Sequence, residues 1–445
     1  MRSASEPKKQ RKEKVVYPKL LRELTKLNEE LHFFTVINDN ISEGAPFSVK
    51  DNLCVKGFES RAGSKILKGY LPQFNATPVE RMIAKGFGFL GKTTMDEFGF
   101  GSFGVNTDIV ARNPFDEKCV AGGSSSGAAV ATAVMKNHIA IAESTGGSIS
   151  NPASFCGVVG FTPTYGLISR YGLIDYANSL DKIGIMARES NQIRETFDII
   201  KGKDGYDSTC VDKKLTALKK KKIVVIDQLT NGVSEEIKST FQVLLARLEN
   251  QGYAIEHVSF DFIDKAIPAY YIISMAEAST NLAKYDGYKY GMQYGDFTKK
   301  YNEFFTNARE NFGTEAKRRI VLGTFVRGAS VKDKYYTKAL KVRTALTNKL
   351  SSLMKDAFIL SPTMPITAPK IEEARKLSPL QTYAMDSLTI PPNLSGFPHV
   401  SFPYAYIKGM PVGAQLITSH FNDYALLDFV SEWEKSFEYQ FKHNL

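Results

Sequence analysis

The sequence predicts an α/β protein, with helices packed on a sheet. Three observations carry this. The 445 residues are 43% hydrophobic, enough to bury a large core in one big domain or in two or three smaller ones. A strand–helix–strand order is legible in the middle of the chain. A long stretch before it is rich in Gly, Ser and short β-branched runs, as a large sheet with functional loops tends to be.

The elements follow in order. Leu20, Leu21, Leu24 and Leu27 recur on one face, predicting an amphipathic helix from about Pro18 to Leu31. The Gly- and Ser-rich region occupies the next 170 residues or so. Polar, lysine-rich residues 201–222 (KGKDGYDSTCVDKKLTALKKKK) read as a surface connection. KIVVID (222–227) then reads as a strand. Ser234 reads as an N-cap, with Glu235 and Glu236 in the first turn and Ile237, Phe241, Leu244, Leu245 and Leu248 on one helical face. AIEHVSF (254–260) is the next strand, and the chain is mainly helical to about Leu353. Strand and turn are expected again from Phe358 to Ile417, before a final helix from Tyr424 to Phe437.

Bulk properties exclude several classes. Apolar runs such as AVATAV (129–134) stop well short of the roughly 18 residues that a membrane span needs. Four cysteines lie far apart without CxxC spacing, which suggests neither a metal site nor a disulfide framework. The net charge of +10 suits an anionic contact or simple solubility. The opening MRSASEPKKQRKEK is basic but carries Glu6, Pro7 and Glu13 without an amphipathic period, so it is a poor transit peptide as written.

Three motifs suggest chemistry. GFGFLGKT (86–93) fits the P-loop pattern, but TPVERMIAK before it reads as helix, FGFL is itself strand-like, and TTMDEFGFGS is too glycine-rich to continue as a helix. Gly123, Ser125 and Gly127 fit a nucleophile elbow, yet turn-like residues precede them and no downstream histidine sits in a convincing acid-then-histidine setting. The third reading joins AGGSSSG (121–127) with AIAESTGGSISNP (140–152). Here a short strand ends in small residues whose amides can converge on an oxyanion, and Pro152 could open a helix. A serine hydrolase without histidine still needs a base, and a buried, neutral lysine can serve. Lys50 in FSVKDN follows a β-like run and is expected to point inward while Asp51 turns away.

This combination of VKDN, GGSS and GGSI resembles the amidase-signature family from about Pro46 to Glu434. The resemblance implies an α/β fold with a large mixed sheet covered by helices on both faces, entered after a basic tail and helix (1–45) and spanning 46–445. The family's two serines are 24 positions apart, a spacing that selects Ser124 and Ser148 over Ser125. The resemblance then implies Lys50 as base, Ser124 at a cis peptide as proton relay and Ser148 as nucleophile. The amides of Thr145, Gly146, Gly147 and Ser148 would form the oxyanion hole.

RRIVLGTF (318–325), KALKVRTAL (338–346), YAMDSLTIPPNLSGFP (383–398) and GMPVGAQLI (409–417) are similar to the family's glutaminase branch, which serves tRNA-dependent amidotransferases. That likeness implies glutamine as substrate, its carboxylate on Arg343 and its ammonium on Asp386. It implies no metal and no cofactor in this chain. ATP and Mg would be used by a partner B subunit that also takes up Glu-tRNA(Gln), alongside a small third subunit. Ser144 and Ser150 stand where the family usually has Asp and Arg, Glu143 where Thr or Ser is common, and Ser126 where Gly is common. Loss of the Asp and Arg together would avoid leaving one charge buried alone. These departures, the basic composition and a short leading region suggest a fungal-like form in the mitochondrial matrix. A free-standing small-amide amidase and a catalytically degenerate structural subunit stay open as alternatives.

Overall fold

Apolar residues alternate between the two faces of the central strands, and each face has its own core. The computed structural model describes residues 18–291, 293, 298 and 300–445, so the basic opening stretch lies outside the described residues. The strands are β1 (Phe34–Ile37), β2 (Pro46–Lys50), β3 (Gly88–Thr93), β4 (Ile139–Ser144), β5 (Val159–Thr162) and β6 (Lys182–Ala187). After them come β7 (Lys222–Ile226), β8 (Ala254–Val258), β9 (Ala357–Pro362), β10 (His399–Ile407) and β11 (Met410–Ile417). They form one 11-stranded sheet in the order β1-β3-β2-β4-β6-β5-β10-β11-β9-β7-β8. Strand β2 is parallel to both β3 and β4, and β7 is parallel to both β8 and β9; the other pairs are antiparallel, so the sheet is mixed as expected. On β4, Ile139 and Ile141 join one hydrophobic core while Ala140 and Ala142 join the other.

Local signals place the helices. The first runs Pro18–Leu31, and its Leu24 and Leu31 pack with Phe33, Phe34, Leu90 and Val130. Packing is thus continuous across residue 45, where the expected catalytic region begins. Ser234 Oγ accepts Ile237 N–H at 3.4 Å to cap Glu235–Asn250, whose five expected apolar residues are all buried. The final helix is Asp423–Glu434. Residues 201–222 lack helix or extended strand before Lys222, but Cys210 and Lys220 are buried. Lys220 Nζ donates to the Ala357 carbonyl at 3.2 Å. Between β9 and β10, where strand and turn were expected, three short helices occur: Ile371–Lys376, Pro379–Ala384 and Ile390–Ser395. The second begins with Ser378 and Gln381 capping each other's backbone, a signal too short to register as periodicity.

Three long helices pack together, and two of them, Ala266–Asn281 and Thr314–Arg327, contribute to the wall of the functional pocket. Ala266–Asn281 packs against both Thr314–Arg327 and Lys338–Leu353. The first crossing is close at Gly323, where a Cβ would lie 1.9 Å from the Met275 carbonyl oxygen. The approach brings Tyr270 and Tyr271 of one helix beside Arg319 of the other.

Candidate active site

Parallel strands β2, β3 and β4 end together, so the loops leaving their carboxyl ends converge, the usual place for a site in such a sheet. Lys50 is the last residue of β2 and is wholly buried. Its Nζ donates to Ser124 Oγ at 2.8 Å, to the Glu143 carbonyl at 3.0 Å and to Glu143 Oε2 at 2.9 Å. Ser124 is also wholly buried and follows a cis peptide from Gly123. Ser148 is 7% exposed and lines a narrow pocket with Gly146, Gly147, Tyr270, Arg319 and Asp386. Lys50 and Ser124 therefore stand behind the pocket wall, while Ser148 opens onto it.

The backbone at 145–148 is tightly fitted. Gly147 has φ +143°, and a Cβ there would meet Thr389 Oγ1 at 2.2 Å, so the residue type is dictated by both conformation and space. Its amide donates to Ser144 Oγ at 3.2 Å, so this expected oxyanion donor is already engaged by a side chain. Thr145 turns its hydroxyl away, toward Glu143 Oε1 (2.6 Å) and Asp181 Oδ1 (2.8 Å).

Across the pocket, Asp386 Oδ2 accepts from Tyr271 OH at 2.7 Å and Ser102 Oγ at 2.9 Å. Burial pushes its carboxyl up to about 6, opposed by those two hydrogen bonds and by Arg319. Arg319 is 4% exposed; its Nε donates to Glu315 Oε1 at 2.8 Å, and its guanidinium lies over the Phe100 ring, 4.8 Å from the centroid. The pocket lining thus brings a cation and a carboxylate together with Ser148 and the rings of Tyr270 and Tyr271.

The expected residues are not all in one place. Lys50, Ser124, Ser148, Thr145, Gly146, Gly147 and Asp386 meet at or just behind the pocket. Arg343 does not line it: its guanidinium donates to Ser179 Oγ at 3.0 Å and to the Ser179 carbonyl at 2.9 Å. The arginine on the pocket wall is Arg319, which sits inside the RRIVLGTF segment but carries no local signal separating it from Arg318 or Arg343. Asp51 does not turn outward; it is buried, 3.8 Å from Lys92 in a second buried pair. Lys92 in turn donates to Ser60 Oγ at 2.8 Å and lies in β3, so the P-loop pattern is a buried strand with its lysine occupied. Ser125 Oγ donates to the Glu143 carbonyl at 3.1 Å, and no histidine hydrogen bond reaches it among the described residues.

Comparison with known proteins gives a family and several near relatives. The family described as Amidase matches residues 15–427. The A subunit of glutamyl-tRNA(Gln) amidotransferase from Symbiobacterium thermophilum is 41% identical over 404 residues, covering 88% of this chain and 82% of the relative. The protein of the same name from Sulfolobus acidocaldarius is 37% identical over 441 residues, covering 95% and 92%. Among solved structures, the corresponding A subunit from Thermotoga maritima superposes with a TM-score of 0.81 at 34% identity, covering 96% of this chain and 92% of that one.

Proposed function

Because the chain belongs to the amidase family, we propose that it is the glutamine-hydrolysing A subunit of a glutamyl-tRNA(Gln) amidotransferase. The observation that carries this reading is the 2.8 Å contact from Lys50 Nζ to Ser124 Oγ, directly behind a pocket that Ser148 lines. In the proposed reaction Ser148 Oγ attacks the carboxamide carbon as its proton passes through Ser124 Oγ to Lys50 Nζ. The other amides of the turn, those of Thr145, Gly146 and Ser148, stabilise the oxyanion. The C–N bond then breaks, the proton returns to the departing nitrogen, and ammonia leaves an acyl-enzyme ester that water hydrolyses to glutamate. Arg319 receives the α-carboxylate and Asp386 the α-ammonium, so the two charges of glutamine orient its amide toward Ser148.

The ammonia is consumed elsewhere. A B subunit using ATP and Mg converts Glu-tRNA(Gln) to Gln-tRNA(Gln), a small third subunit completes the assembly, and tRNA is contacted mainly through the partner. Basic composition and the Ser144 and Ser150 departures support a fungal-like form in the mitochondrial matrix. Among the described residues no helix is long and apolar enough to cross a membrane. The test is glutamine hydrolysis by the co-purified complex, with and without Glu-tRNA(Gln). Stimulation by the charged tRNA is expected. Brisk hydrolysis of varied amides by the lone chain would replace this reading with a free-standing amidase, and silence under all conditions would replace it with a structural subunit.

A further inference from the structure

We infer that Glu143 is a positioning residue for the hydrolysis proposed above: its carboxylate and its carbonyl together hold the Lys50 amine in the direction from which it serves Ser124 as base. The inference rests on that functional reading, but its geometry stands alone. An ammonium has three hydrogens, and Lys50 meets three acceptors: Ser124 Oγ, the Glu143 carbonyl and Glu143 Oε2. To accept a proton from Ser124, Lys50 must present a lone pair to Oγ. Its two remaining hydrogens then still point at the two Glu143 oxygens, so Glu143 orients the amine in both protonation states. Asn52 Nδ2 donates to the same Oε2 at 3.1 Å and fixes the carboxylate in turn.

The other Glu143 oxygen is held as well. Oε1 lies 2.6 Å from Thr145 Oγ1, which lies 2.8 Å from Asp181 Oδ1. One hydroxyl owns one hydrogen, so both contacts can be hydrogen bonds only if one of the two carboxyls is protonated. Burial first, then the neighbouring Glu143 carboxylate, push Asp181 well above the ordinary carboxylate range. Asp181 is therefore the carboxyl that carries the hydrogen, and Glu143 Oε1 accepts from Thr145.

The active form is the neutral amine, which has released to solvent the hydrogen facing Ser124 Oγ and keeps its two contacts to Glu143. The amine is then free to take the Ser124 proton, while the hydrogen bonds from Asp181 through Thr145 to Oε1 keep their direction. Other charged groups face the cluster from neighbouring elements. Asp96, in the loop after β3, is held up near 6 by burial and opposed partly by Lys50; Asp175 flanks Asp181, and Arg319 acts on Asp96 from its own helix.

The experiment reads Ser148 directly. The co-purified complex is treated with a fluorophosphonate probe between pH 5.5 and 9.5, and adducts on the Ser148 peptide are followed by mass spectrometry in wild type, Glu143→Gln and Glu143→Asp. A carboxylate beside a cation typically displaces its titration by about one to three pH units. The acid limb of Ser148 labelling should accordingly fall by about that much in Glu143→Gln, which keeps an acceptor but has no charge. Glu143→Asp withdraws the carboxylate by about 1.5 Å, one C–C bond, and should shift the limb less, in the same direction, which covers failure of the glutamine variant to fold. An unmoved limb in either folded variant, or wild type whose Ser148 is never labelled, overturns the inference. Normal labelling behaviour without glutamine hydrolysis would instead count against the proposed substrate alone.

Discussion

Ser144 on β4 and Lys182 on β6 stand opposite each other in the antiparallel register, both buried, and the Lys182 amine has no hydrogen-bond partner among the described residues. Cross-strand partners project to one face, so the position where the family usually carries an aspartate lies beside an uncompensated buried amine. Ser150, where the family usually carries arginine, also keeps a buried hydroxyl without a partner among the described residues.

Replacing Lys182 should stabilise the fold. Burial, then repulsion by Arg343, push its amine down to about 7 from an ordinary 10.5, opposed by Asp423. Between those values the unfolded chain holds a proton that the folded chain does not, so stability rises with pH through that window; the lysine's cost is full below about 7 and fades toward 10.5. Urea unfolding at pH 6 should show Lys182→Met gaining about 1–3 kcal/mol, and less at pH 9.5. Ser144→Asp should flatten the pH dependence. A loss of stability in Lys182→Met at both pH values would sink the account.

Arg319 and Arg343 should differ sharply in kinetics. Arg319→Met removes the cation on the pocket wall and should lower kcat/KM for glutamine by about 100-fold, corresponding to about 3 kcal/mol. Arg343→Met, which loses the Ser179 hydrogen bonds outside the pocket, should stay within about threefold. The reverse ranking in steady-state assays of the complex would return the carboxylate to Arg343.

Asp386 should set a pH limit on glutamine binding. It must be ionised to pair with the substrate ammonium, and its carboxyl is held up to about 6. Its ionised fraction falls as pH drops through that value, so KM should climb roughly tenfold per pH unit below it. Asp386→Asn should remove this dependence with a loss of about 30- to 1,000-fold in kcat/KM. A KM constant down to pH 5 would contradict the assignment.

Activity and stability should separate at the serine–lysine centre. Ser148→Ala should abolish hydrolysis, by about 1,000-fold or more, with little change in melting temperature. Lys50→Ala should abolish it and also cost about 3–5 kcal/mol, because Glu143 would be left buried and unpaired. Adding Glu143→Gln to Lys50→Ala should restore stability without activity. Thermal and urea unfolding beside ammonia release would show whether the double variant behaves so.

Short-range signals made much of this protein legible in its sequence. The leucine period fixed the Pro18–Leu31 helix, Ser234 with two glutamates fixed the start of Glu235–Asn250, and the bulky FGFL run marked a strand despite its P-loop pattern. Resemblance to the family's motifs selected Lys50, Ser124 and Ser148, because residue type and order survive in the chain. Tertiary structure alone decided which long-range partners those residues meet. Lys50 and Glu143 are 93 positions apart and touch only because β2 and β4 run parallel and end together. Likewise, Arg319 reaches the pocket and Arg343 does not because of a helix crossing made close at Gly323. Periodicity records which face of an element is apolar. It does not record what that face will meet, and burial makes that meeting decide whether a charge is paired, relayed or left alone.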